Sequence, residues 1–189
     1  MTLKQLIISN FNKYNLIDNN FFLANNVILC KSNNKLIVLV KEISLNNVFI
    51  YPQTINAYKY DKNTKSFENV GNIIYRQKAD YVKICEIKIF DEKNKHKGYG
   101  TMLIKAFEYN ISKYYPKKIK IIGSFAPDKV NYEQQPKEYY NKNGYDIKKS
   151  INSKTPKISK TLYTSKTDVT KFDDINYLNS TTQSTEIEA

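Results

Sequence analysis

The chain has 189 residues, 41% of them apolar, and carries 30 basic residues against 18 acidic ones for a net charge of +12. That length suits one domain with a sizeable core, and its longest clean apolar run, Leu36–Val40, falls far short of the roughly 20 residues that cross a bilayer. The polar breaks in MTLKQLIISNFNKYN, with no small-residue cleavage site, lead us to expect no secretory signal; Cys30 and Cys85, without metal spacing, are expected as reduced core thiols of a cytoplasmic protein with no membrane partner.

The charge is uneven. Met1–Val82 carries +5 and Thr161–Ala189 carries −3, whereas Lys83–Lys160 holds 18 Lys against 8 acids for +10. A positive field of this kind suits an anionic ligand, large or small. Only one basic residue, Arg76, is an arginine, and phosphate and base readers lean on the bidentate arginine fork. Lys, Asn, Ile and Tyr dominate throughout, so a solvated lysine-rich surface is preferred to a dedicated nucleic-acid site.

In chain order, Thr2 caps a first helix with Leu3, Leu6, Ile7 and Phe11 at helical spacing. NNFFLANNVILCKSNN fits either helix or strand. Residues 35–43 and 47–53 are expected as strands, and 56–76 as a hairpin turning at Asp61–Lys65. Residues 80–91 alternate, with Cys85, Ile87 and Ile89 on one face and Glu86 and Lys88 on the other. A helix is expected from Tyr99 to Tyr115, burying Met102, Leu103, Ala106, Phe107 and Ile111, with Pro116 ending it. Residues 117–125 suggest a short buried strand. A helix around Pro136–Lys142 closes at Gly144, a suitable left-handed cap, and returns to strand. PKISKTLYTS adds a last strand, so residues 1–166 form a single mixed α/β domain with one central sheet and flanking helices. From about Thr167 to Ala189 the chain is polar and expected to be a weakly ordered tail.

Two of the five glycines, Gly98 and Gly100, stand between the 80–91 strand and the helix that follows. The first N–H groups of a helix have no partner within it, and the helix dipole adds positive charge there. A glycine turn lets an anion approach bare backbone, so KNKHKGYGT is a candidate anion site. Lys93, Lys95, His96 and Lys97 add charge or donors, and Thr101 offers a hydroxyl. It is neither a P-loop, since no Gly-Lys-Ser/Thr follows, nor a dinucleotide fingerprint, since the third glycine is missing.

Lys95-His96-Lys97-Gly98-Tyr99-Gly100 resembles the Arg/Gln-x-x-Gly-x-Gly/Ala motif of the GNAT family of N-acetyltransferases, with Lys95 in place of Arg or Gln. Tyr139-Tyr140-Asn141-Lys142-Asn143-Gly144-Tyr145 resembles the family's Phe/Leu-Tyr-x-x-x-Gly-Phe signature. Eight residues separate Ile89 from Gly98 where seven are commoner, so either Phe90 takes the place of Ile89 or the strand carries a bulge. The resemblance covers about Asn34 to Ser150 and implies an acyl-coenzyme A N-acyltransferase architecture. It implies that acetyl-coenzyme A is the cosubstrate, its diphosphate on the 95–101 loop and its acetyl group between strands 80–90 and 117–125. Ile89, Phe90, Lys95, His96, Lys97, Gly98, Tyr99, Gly100 and Thr101 would bind it. An amine attacks the thioester directly, and Tyr140 would protonate the leaving thiolate. Glu86, a carboxylate in an apolar strand, is the candidate base, its pKa expected to rise on burial. His96 is expected to face solvent or phosphate, and Asp128 to cap the next helix.

The acceptor is a small-molecule or protein amine by default, or an RNA-linked amine such as aminoacyl-tRNA. An aminoglycoside is disfavoured, since polycations prefer acidic pockets. A catalytically degenerate coenzyme A-binding or interaction module is the alternative, and a homodimer is left open.

Overall fold

A computed structural model describes residues 27–32, 35–42, 51–61, 63–112, 114–115, 117–125, 134–148, 155–163 and 175–176. The expected Thr2 helix, residues 43–50, Asp128 and Pro116 lie outside them. Strands β1 (Val27–Ser32), β2 (Lys35–Glu42), β3 (Gln53–Asp61), β4 (Ser66–Gln77) and β5 (Tyr81–Ile89) come first. A short 3₁₀ turn at Glu92–Asn94 and helix α1 (Tyr99–Ser112) lead to β6 (Lys118–Ser124). Then follow α2 (Gln134–Lys142), β7 (Asp146–Lys148), β8 (Lys157–Tyr163) and β9 (Ile175–Asn176). They form one mixed sheet in the order β7-β8-β6-β5-β4-β3-β2-β1-β9. Each neighbouring pair is antiparallel except β5 and β6, which run parallel with α1 as their crossover.

The hairpin of β3 and β4 turns at residues 63–65, and β2 begins at Lys35, both as expected. VILCKS, ambiguous in sequence, is β1 and pairs along its whole length with β2. Ile175–Asn176 lie in the segment expected to be weakly ordered, yet they pair with Cys30 and Leu29 as an edge strand.

Helix α1 has the period of a half-buried helix: Leu103, Ala106, Phe107, Asn110 and Ile111 recur at the spacing that puts them on one stripe, and all are buried. Ile104 joins them, while Met102 is only half-buried. The helix ends at Ser112, three residues before Tyr115. The stripe lies across the sheet, where Phe107 meets Tyr75 edge-on with ring centroids 4.9 Å apart. Ile73, Val82, Ile84, Ile119 and Ile121 complete this side of the core. Lys41 is buried on the same side and donates to Tyr114 Oη at 3.0 Å and Asn110 Oδ1 at 3.4 Å.

Two expectations are corrected. Strand β5 does not alternate through Cys85. Ile74 faces Glu86 while its neighbour Tyr75 faces Ile84, so Cys85 is surplus to the register and forms a bulge. Val82 and Ile84 hold the core face before the bulge, and Ile87 and Ile89 take it after; Cys85 is exposed rather than a core thiol. The side chain of Cys30 lies outside the description. Strand β6 is buried on one face only: Ile119 and Ile121 are in the core, whereas Lys118 and Lys120 are exposed.

Glu108, on the flank of α1, ties the end of the domain to the helix. Its carboxylate accepts from Lys160 Nζ at 2.7 and 2.9 Å and from Tyr145 Oη at 2.9 Å. Tyr145 is almost fully buried, and Lys160 also donates to the carbonyl of Asn143. Removing the shared acceptor leaves the buried Tyr145 hydroxyl without its acceptor and the Lys160 ammonium without its countercharge. Glu108→Ala is therefore expected to cost about 3 kcal/mol in urea unfolding, against about 1 kcal/mol for Tyr145→Phe. Equal, small losses for both would show that Glu108 is not the anchor.

Candidate functional site

The site begins where β5 and β6 part. They exchange pairs only from Tyr81↔Lys120 to Ile84↔Gly123, yet β5 continues to Ile89. The Cys85 bulge falls at the first unpaired position. Beyond it, among the described residues, the backbone of β5 has no strand partner on its β6 side, and the C-terminal ends of the two parallel strands part. Such ends, flanking a crossover helix, are where open α/β sheets hold ligands.

A shaped loop connects that gap to α1. Asp91 and His96 both take positive φ, 59° and 58°. Asn94 is 1% exposed and plugs the loop against the sheet. Its Nδ2 donates to the carbonyl of Phe90 at 3.1 Å and reaches Glu68 Oε1 at 3.5 Å. Glu68, on β4, also binds Lys59 at 2.8 Å and Lys93 at 2.9 Å. The two lysine partners hold its carboxyl down at about 2.

Gly98 and Gly100 do different work. Gly98 has φ +83°, and a Cβ added there would meet nothing within 4 Å. Its backbone conformation favours glycine, and its Cα faces open space. Gly100 sits under Tyr139 of α2: an added Cβ would stand 2.9 Å from Tyr139 Oη and 3.2 Å from two ring carbons. The N–H groups of this first turn have no intrahelical acceptor, and no acidic side chain occupies the turn. The bare backbone, the helix dipole and the open space at Gly98 suit a diphosphate.

The helix α2 closes the site from the other side. Tyr140 is buried and stacks on Phe125, just past β6, at 5.4 Å. It also meets Tyr139 and Tyr145 edge-on at 5.1 and 5.9 Å. Two successive tyrosines thus span from the start of α1 to the end of β6. Burial pushes the Tyr140 hydroxyl up to about 12, and raises Tyr139 further. Tyr139 Oη is buried and has no hydrogen-bond partner among the described residues. Gly144 has φ +77° and ends α2 as the sequence suggests.

The remaining sequence candidates separate. Lys97, Gly98, Gly100 and Thr101 line the turn, and His96 is exposed beside it. Tyr99 buries its ring in the core, so only its backbone faces the site. Lys95 is ion-paired with Glu92. Ile89 packs on the core at the end of β5, and the Phe90 N–H donates to the carbonyl of Val70. The bulge of β5 lies at Cys85, before Ile89, and so adds nothing to the eight residues between Ile89 and Gly98. Glu86 sits at that bulge with its side chain exposed, so the expected burial is absent. Sequence reasoning missed Tyr139, Asn94 and Glu68, whose roles depend on contacts 26 to 39 residues apart in the chain; only the doubled tyrosine hinted at one of them.

No protein-family model matches the sequence, and no curated protein is similar to it. Among solved structures, the chain is similar to the PaiA N-acetyltransferase of Thermoplasma acidophilum in complex with coenzyme A, with 16% identity and TM-score 0.44, over 58% of this chain and 60% of that one. It is similar to a Bacillus subtilis acetyltransferase in complex with coenzyme A, with 16% identity and TM-score 0.42, over 59% and 76%. It is also similar to the ribosomal-protein-S18-alanine N-acetyltransferase of Escherichia coli, with 11% identity and TM-score 0.42, over 62% and 71%.

Two expected outcomes follow from the geometry. Gly100→Ala should lower stability by about 1–3 kcal/mol through its clash with Tyr139, and Tyr139→Phe should recover much of that loss in the double variant; additive losses would place the strain elsewhere. The depressed Glu68 carboxyl contributes stability that is present above its unfolded value of 4.5 and lost as pH falls toward about 2. The unfolding free-energy gap between wild type and Glu68→Gln should thus be constant above pH 5 and shrink below it. A gap that widens in acid would contradict the assignment.

Proposed function

We propose that the chain is an N-acetyltransferase that moves an acetyl group from acetyl-coenzyme A to an amine by direct attack. One observation carries the reading. The gap between two parallel strands opens at a bulge in the strand that leads, through the loop, into a glycine turn at the start of α1, where the first N–H groups lack an acceptor within the helix. A diphosphate and a thioester on one extended ligand require those two features next to each other.

Bound acetyl-coenzyme A supplies the activated thioester. The 96–101 backbone holds its diphosphate, and the open space at Gly98 admits it. The unpaired stretch of β5 after Ile84 offers backbone amides to the acyl arm. As the amine nitrogen bonds to the acyl carbon, the carbon–sulfur bond breaks and the thiolate needs a proton. Tyr140, kept protonated at neutral pH by burial, supplies it from the wall formed with Phe125. Glu86, exposed at the mouth of the gap, attracts the incoming ammonium and takes its proton through water. Positioning and charge stabilisation provide most of the rate, so a strongly shifted base is not required.

Calorimetry with acetyl-coenzyme A and release of free thiol with a panel of amines test the proposal. Wild type should bind and Gly98→Val should not, while circular dichroism shows both folded. Tyr140→Phe should bind normally and lose about 100-fold in the rate of thiol release. Equal binding by Gly98→Val would remove the diphosphate cradle. Binding with no thiol release from any amine would favour a coenzyme A-binding module without transfer.

A further inference from the structure

We propose that the open face of the sheet, across β4, β5, β6 and β8, binds single-stranded nucleic acid through its phosphate backbone. The strand registers place the cations. Arg76 lies opposite Lys83, Lys120 opposite Thr161, Lys118 opposite Tyr163, and Lys157 opposite Ser124, all on the side of the sheet away from α1. Tyr81 and Lys120 share a rung of the parallel pair and carry the patch across the centre. Each of these cations is exposed. Among the described residues none of them is in an ion pair.

The contrast with the other carboxylates is the informative part. Glu68, Glu92 and Glu108 are each matched to lysines on the helix side or in its loop. Among the described residues of the open face, the carboxylates are Glu86, within β5 opposite Ile74, and Asp146, at the β7 margin. Residues two apart on a strand stand about 7 Å from one another and neighbouring strands about 5 Å apart. Arg76, Lys83, Lys120 and Lys118 therefore follow one another in steps within about one Debye length, near 10 Å, with Lys157 slightly beyond, and the fields of neighbours add. A polyanion satisfies such a lattice better than any single small anion.

A single strand fits better than a duplex or a lipid surface. Tyr163 is 54% exposed and Tyr81 half-buried on this face, offering rings on which unpaired bases stack. A cavity of about 420 Å³ lined by Arg76, Lys78, Tyr81, Lys83 and Cys85 gives a base or sugar somewhere to enter. Among its described residues the face shows no apolar ridge to insert into a bilayer. With one arginine, it reads charge rather than sequence. The binding does not depend on the acetyltransferase reading.

Fluorescence anisotropy with labelled oligo-U and oligo-dT of about 15 nucleotides, titrated between about 50 and 200 mM salt, tests it. Both should bind wild type, with or without coenzyme A. K83E/K120E should weaken binding at least about tenfold and lower the salt slope by about 1.4. K105E/K137E, with the same charge change on exposed helix positions, should weaken it less than about threefold. Equal weakening by both pairs, no binding at low salt, or equally tight binding of anionic phospholipid vesicles would overturn the proposal. Melting curves of both variants establish that each is folded, and Tyr163→Ala provides a charge-neutral variant expected to weaken binding while leaving the salt slope intact.

Discussion

The domain is organised around one surplus residue. Cys85 has no place in the register between β4 and β5, and the strand must bend to accommodate it. That bend coincides with the last rung shared with β6. β6 runs only one residue beyond that rung, to Ser124, while β5 continues to Ile89. The two parallel strands separate there, and the loop after β5 is delivered to the start of α1. The tyrosines of α2 then fill the space above, one against Gly100 and one against Phe125.

The positioning of the loop is achieved at a distance from its glycines. Asn94 is buried beneath it, and Glu68 gathers Lys59 and Lys93 from a strand and from the loop itself. Lys93 and Lys95 therefore serve the loop's shape, whereas Lys97 and the helix amides face outward. Among the described residues, Glu68, Glu92 and Glu108 are matched to lysines on the helix side or in its loop, whereas Lys83, Lys118, Lys120 and Lys157 stand exposed on the opposite face.

Much of this was legible in the sequence, for physical reasons that differ by element. The stripe of α1, the β3–β4 turn and the cap at Gly144 depend on neighbours a few residues apart, and local spacing shows them. The glycine turn was legible as an anion site because it needs only helix ends and a chain reversal. The exposure of Cys85 and Glu86 was not, because one inserted residue exchanges the faces of everything before it, and the alternation of VKICEIKI looks the same either way. Lys118 and Lys120 alternate openly with Ile119 and Ile121, yet the isoleucines dominated and the strand was taken as buried on both sides. The contacts of Tyr139 with Gly100 and of Asn94 with Glu68 join distant parts of the chain and leave no local periodicity.

The two residues Ile175 and Asn176 have an effect out of proportion to their number. A six-residue border strand presents a row of backbone donors and acceptors to any extended peptide that drifts past. By pairing with Leu29 and Cys30, near the middle of β1, they interrupt that row. The opposite border, β7, is only three residues long. A broad nine-stranded sheet is thereby denied a long template for recruiting copies of itself.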